Sequence, residues 1–171
     1  MPNFAFSIMS CMFTLRDLVR PRKEILKEIG LEPGFRVLDY GCGPGAYVAG
    51  TAELVGKAGK VYALDLQPLA IRRVGEIARK KQLANVETIC SDCQTGLQDN
   101  SLDVALLYDV FHTLGEPQAV LAELHRVLKK GGTLSFSDHH MSEDEIISGV
   151  TDGLLFKLSR KGERTYQFER A

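Results

Sequence analysis

At 171 residues, with 44% apolar and 25% charged side chains, the chain is long enough for one domain with a sizeable core and has an ordinary globular composition. A formal net charge of −1 gives no global reason to expect nucleic acid or an acidic membrane as partner. No apolar run is long enough to span a bilayer.

Residues 4–13 are apolar but have no basic residue before them and no small-residue cleavage site after them, which speaks against a signal peptide. Ile8, Met12, Leu15 and Val19 recur at helical spacing up to Pro21. Residues 1–21 are therefore expected to form a lid-like amphipathic helix in front of a single domain over 22–171. Ile25, Leu26 and Ile29 mark a short helix closed by Gly30. A strand follows over Arg36–Tyr40, then a helix over 46–55 and a strand over 61–64. Pro68 opens a helix with Ile71, Val74, Ile77 and Ala78 on one face. Strands are expected over Val86–Cys90 and 104–108, the second reading as buried on both faces. A helix over 117–128 stops at Gly131-Gly132, and strand 133–137 and helix 143–150 follow. The end of the chain reads as an antiparallel hairpin, 154–159 and 164–168, about a Lys161-Gly162-Glu163 turn. The basic clusters Arg79-Lys80-Lys81 and Lys129-Lys130 fall where helices end and compensate their dipoles. This alternation points to α/β with a mostly parallel sheet.

The most informative stretch is Val37-Leu38-Asp39-Tyr40-Gly41-Cys42-Gly43-Pro44-Gly45. It reads as a buried strand opening into a glycine-rich turn ahead of a helix. Such a turn lets a nucleotide-like ligand approach the main chain and the helix N-terminus. Gly41-x-Gly43-x-x-Ala46 fits the dinucleotide fingerprint, so an NAD-binding oxidoreductase domain is one reading. Asp39 favours another: an acid there repels phosphate and suits a cationic amine. Asp65, ending the second strand, can take both hydroxyls of a ribose in either case. Asp92, past the third strand, can accept from an adenine amino group.

Together with Val61-Tyr62-Ala63-Leu64-Asp65, Ser91-Asp92-Cys93, Leu102-Asp103-Val104-Ala105 through His112, and Glu123-Leu124-His125-Arg126-Val127-Leu128-Lys129-Lys130-Gly131-Gly132, the chain resembles the class I S-adenosylmethionine-dependent methyltransferases. The resemblance runs from Ile25 to the C-terminus. It implies a doubly wound, seven-stranded, mostly parallel sheet with a C-terminal antiparallel hairpin and helices on both faces. The implied cofactor is S-adenosyl-L-methionine. Gly41, Cys42, Gly43 and Gly45 would lie against its methionine part and Asp39 would face the amino group. Asp65 would hold the ribose and Leu66 would pack on the adenine. Asp92 would take the adenine amino group, and the Cys93 N–H a ring nitrogen. Tyr108 would lie near the transferable methyl, or else serve as a core aromatic.

Methyl transfer from a sulfonium needs alignment and exclusion of water, and a general base only where the nucleophile keeps its proton. Candidate bases belong at the C-terminal edge of the sheet: Asp109 and His112 after the fourth strand, and Asp138, His139 and His140 after the fifth. His125, mid-helix, reads as structural. Adjacent histidines are poorly spaced for one ion, and the Cys90-x-x-Cys93 pair has no second pair to complete a zinc site, so no metal is expected. Cys11, Cys42, Cys90 and Cys93 fit reduced thiols in a cytoplasmic protein. With no large insertion, a small-molecule acceptor is favoured, and methylation of RNA or protein is the alternative. No basic stripe supports nucleic acid as a partner. Neither the acceptor's identity nor the oligomeric state can be read from the sequence.

Overall fold

The structure is a computed structural model and describes residues 22–171. The expected N-terminal helix, with Ile8, Met12, Leu15 and Val19, lies outside the described residues.

The elements in chain order are α1 (Arg22–Ile29), β1 (Arg36–Tyr40), α2 (Val48–Val55), β2 (Lys60–Asp65), α3 (Pro68–Lys80), β3 (Val86–Cys90), β4 (Leu102–Tyr108), a 3-10 turn (Phe111–Thr113), α4 (Pro117–Val127), β5 (Leu128–Ser137), α5 (Glu143–Thr151), β6 (Phe156–Lys161) and β7 (Tyr166–Arg170). They form a seven-stranded sheet in the order β3-β2-β1-β4-β5-β7-β6. Strand β7 runs antiparallel to both its neighbours, and the other pairs are parallel. The mixed α/β sheet and closing hairpin are as expected.

The strands alternate with period two between two cores. Val37, Val61, Ala63, Val104 and Leu106 meet α1, α2 and α3 through Leu26, Val48, Val55 and Val74. Leu38, Leu64, Ala105, Leu107, Leu134 and Phe136 meet α4 and α5 through Leu121, Leu124, Ile146 and Val150. The chain leaves β1 toward one face and β4 toward the other. The C-terminal ends of these adjacent strands therefore flank a crevice at the switch point, where open α/β sheets bind ligands.

Some boundaries differ from expectation. The diglycine lies inside β5, which starts at Leu128. The pairing with β4 shifts register between Leu102 and Val104, and a Cβ on Gly132 would meet the Lys129 and Asp103 carbonyl oxygens at 3.0 and 3.1 Å. The glycine pair allows this close backbone approach at an irregularity in the ladder. The hairpin strands begin two residues later than expected, because Phe156 and Phe168 are the positions that point into the core.

Glu28 ties α1 to this hairpin. Its Oε2 accepts from the Thr165 N–H at 3.1 Å and hydroxyl at 2.8 Å, and from the Arg164 N–H at 3.2 Å. Its carbonyl accepts from Gln167 Nε2 at 2.7 Å. Helix α5 starts with a full capping box, in which Ser142 and Glu145 satisfy each other's backbone N–H groups. This anchors the segment that follows the histidine pair.

Candidate cofactor and active site

The glycine turn is built before any ligand arrives. The N–H groups of Gly41 and Cys42 both donate to the Leu64 carbonyl, at 2.8 and 2.9 Å, which pins the turn to the end of β2. Gly41 has φ +72°, and a Cβ there would lie 2.7 Å from Val110 Cγ2. No residue but glycine fits that conformation and that contact. Asp65 closes the turn from the side: Oδ2 accepts from the Gly43 N–H and Oδ1 from the Gln67 N–H, each at 2.8 Å. No side chain caps the start of α2.

Beside the turn lies a cavity of about 610 Å³. Gly41, Gly43, Asp65, Leu66, Asp92 and Cys93, all proposed cofactor contacts, line it, as does Asp109. Asp39, Cys42, Gly45 and Tyr108 are not among the lining residues. Asp39 is buried (2% exposed) on the α1–α3 side of the sheet. Burial, reinforced by the charges of Asp39 and Asp65, drives the Cys42 thiol far above its ordinary range, so it stays protonated and unreactive. Gly45 sits against Val74 and Ile77 of α3. The Tyr108 hydroxyl shares a hydrogen bond with Ser135 at 2.7 Å, and its ring meets Tyr47 edge-on at 4.9 Å. Burial raises its phenol well above the usual range. His125, expected to be structural, packs edge-on against Phe156.

The polar residues after β4 and β5 form two crossed pairs. His112 Nδ1, after β4, is 2.8 Å from Oδ2 of Asp138, after β5. His139 Nδ1, after β5, is 2.7 Å from Oδ1 of Asp109, after β4. Each carboxylate also takes a backbone N–H of the opposite loop, from His112 at 3.3 Å and His139 at 3.1 Å. Asp109 adopts φ +53°, which turns the chain sharply at the end of the strand. The His140 ring lies between the others, 4.3 Å from His112 and 3.8 Å from His139. A carboxylate only accepts, so Nδ1 carries the proton in both pairs and Nε2 is left as the basic nitrogen.

A family of proteins described as "Methyltransferase domain" matches residues 31–169, nearly all of the described sheet.

The chain belongs to this methyltransferase family.

It is 30% identical over 125 residues to a demethylmenaquinone methyltransferase of Geobacillus stearothermophilus, a match covering 72% of this chain and 53% of that protein. The chain thus spans about half the length of the curated relatives it matches. A SAM-dependent methyltransferase from Aquifex aeolicus superposes with a TM-score of 0.76 at 29% identity, covering 86% of this chain and 87% of that one. A putative rRNA-methylase from Clostridium thermocellum shares the fold, with a TM-score of 0.68 at 18% identity.

The cofactor of this methyltransferase family, S-adenosylmethionine, fits the residues present. A Cβ on Gly43 would meet nothing within 4 Å, so the turn leaves open space beside the cavity. The Asp65 oxygens each hold one backbone N–H and keep further acceptor capacity for ribose hydroxyls. Leu66, 61% exposed beside the cavity, offers an apolar surface for a base to cover. Donor atoms of Asp109, Asp138 and His139 lie within 4.8 Å of one another and could offer ligands to a cation. The same three residues take part in the two hydrogen-bonded pairs.

Sequence reasoning missed Tyr40, which lines the cavity and donates its hydroxyl to the Asp92 carbonyl at 2.8 Å. Alternation along β1 puts it on the opposite face from Asp39, and that signal was legible. Also missed were Glu123 and Arg126, whose i, i+3 spacing on α4 makes them neighbours.

Proposed function

We propose that this methyltransferase transfers the methyl group of S-adenosylmethionine to a small acceptor carrying an ionisable group such as a hydroxyl. The observation that carries this reading is the His112–Asp138 pair at 2.8 Å, which follows β4 and β5 at the same edge of the sheet as Asp109, a residue of the cavity lining. Asp65 holds the ribose hydroxyls, Leu66 covers the adenine, and Asp92 with the Cys93 N–H meets its polar edge. Asp39 attracts the amino group of the methionine part through its charge.

The cofactor supplies a methyl group already activated on a positive sulfur. What the protein adds is alignment and a place for the acceptor's proton. Asp138, with its side chain 0% exposed, holds the His112 ring in one tautomer. His112 Nε2 takes the acceptor's proton, and the buried carboxylate stabilises the imidazolium that results. Asp109 and His139 repeat this arrangement, with Asp109 in the cavity lining and His139 more exposed than His112. A small-molecule acceptor agrees with the relatives' name, demethylmenaquinone methyltransferase, and with the net charge of only −1.

Calorimetric titration with S-adenosylhomocysteine, followed by methyl-transfer assays on hydroxylated aromatic and aliphatic acceptors, tests this reading. Binding is expected, together with transfer that H112A suppresses. Full turnover in H112A removes the base assignment, and failure to bind S-adenosylhomocysteine removes the whole proposal.

A further inference from the structure

The loop between β3 and β4 carries Asp92 and Cys93 to the cavity without regular secondary structure of its own. Its position is set by side chains from other elements. On one side, Tyr40 of β1 holds the Asp92 carbonyl at 2.8 Å. On the other, Glu123 of α4 accepts from both the N–H and the hydroxyl of Thr95, at 2.8 and 2.6 Å. Thr95 is buried (4% exposed), and its hydroxyl also accepts from the Leu97 N–H at 3.1 Å.

Glu123 is itself fixed. Arg126, one turn on, donates to it twice, from Nε at 2.8 Å and Nη2 at 2.7 Å. The same guanidinium donates through Nη1 to the Leu97 carbonyl at 2.9 Å. Arg126 therefore grips the loop and the carboxylate together. A fork of this kind is directional, and its charge-assisted bonds are stronger than neutral ones. Thr95 lies three positions after Asp92, a span of at most about 11 Å. Fixing Thr95 therefore restricts Asp92 to a small volume beside the cavity.

We propose that Glu123, backed by Arg126, is a positioning residue for the adenine end of the methyl donor: it holds Thr95 so that Asp92 meets the adenine amino group. The inference rests on the reading above that Asp92 does so. Neither Glu123 nor Arg126 touches the ligand. Both act through the loop, and nothing in the fold requires this helix face to hold it. The exposed pairs Arg73–Glu76 and Lys27–Glu24 have the same i, i+3 spacing and hold no loop among the described residues.

The test is a ratio of affinities. The analogue of S-adenosylhomocysteine with unsubstituted purine in place of adenine lacks the amino group, keeps the ring nitrogens as acceptors and is otherwise the same ligand. By titration calorimetry the native protein is expected to prefer the adenine form. D92A should abolish the preference, and E123A should narrow it by about tenfold, the scale of a lost charge-assisted contact. E123Q keeps an oxygen for Thr95 and should recover most of the preference. A residue with a purely structural role lowers thermal stability and weakens both ligands equally. An unchanged ratio in E123A beside a lost one in D92A therefore overturns the positioning role alone. An unchanged ratio in D92A removes the adenine assignment and the positioning role with it. Where E123A does not fold, T95V carries the same test from the loop side.

Discussion

The imidazole of His112 faces both carboxylate oxygens of Asp138, with Nδ1 at 2.8 Å from one and 2.9 Å from the other. The acid is fully buried and the ring is partly open, so the ring is oriented from behind and reachable from in front. D138N is expected to keep the shape, misassign the ring proton and reduce kcat by about 10²–10⁴-fold. Affinity for S-adenosylhomocysteine should stay within about twofold of native. Single-turnover rates beside calorimetric titration separate the two quantities. H139A should cost less than H112A, because His139 and its partner Asp109 are more exposed than His112 and Asp138, respectively; equal losses would make both histidines part of one unit.

Gly41→Ala tests the turn. The added Cβ meets the Val110 side chain at 2.7 Å, and φ +72° strains any L residue. A loss of about 1–3 kcal/mol in denaturant unfolding is expected, together with loss of donor binding. Adding V110A relieves the contact but not the backbone strain, so the double variant should regain only part of the stability. Full recovery would show that the conformation itself carries no cost.

Asp65→Asn removes a charge that holds two backbone N–H groups and faces the cavity. An amide offers one oxygen where the carboxylate offers two. At least a tenfold rise in the Kd for S-adenosylhomocysteine is expected. If titration shows native affinity, the ribose assignment fails.

Acid tests Glu123. The hydrogen bonds from Arg126, and then those from Thr95, hold its carboxyl down at about 2, against an ordinary 4.5. The folded form binds this proton less readily than the unfolded form. Its stabilising contribution is thus complete above 4.5 and is lost as the pH falls from 4.5 toward 2. Urea titrations across that window should show native stability falling faster than that of E123Q. Parallel curves would contradict the shift.

Much of this was written in the alternation of the chain. The run Val104 to Tyr108 reads as buried on both faces, and Ala105 and Leu107 do pack opposite to Val104 and Leu106. The glycine turn, Asp65 and Asp92 were legible because each stands at a strand end, where a motif fixes its place. The pairing of His112 with Asp138 and of His139 with Asp109 was not legible. It depends on β4 and β5 lying side by side with Tyr108 opposite Ser137, a register that no local pattern encodes. Glu123 was hidden for the same reason: a charged residue on a helix resembles any solvated one until a distant loop closes over it.

The clamp formed by Glu28 has a bearing on synthesis. Its main partners, Thr165 and Gln167, follow it by 137 and 139 positions. While the chain emerges from the ribosome, α1 can rest its apolar side on β1 and α2, but its carboxylate stays in water until the final hairpin has been made. The first described helix is therefore among the last to be locked. A variant such as T165V should fold through a longer-lived species with α1 undocked, visible as slow hydrogen exchange protection of residues 25–29 after the sheet amides are already protected.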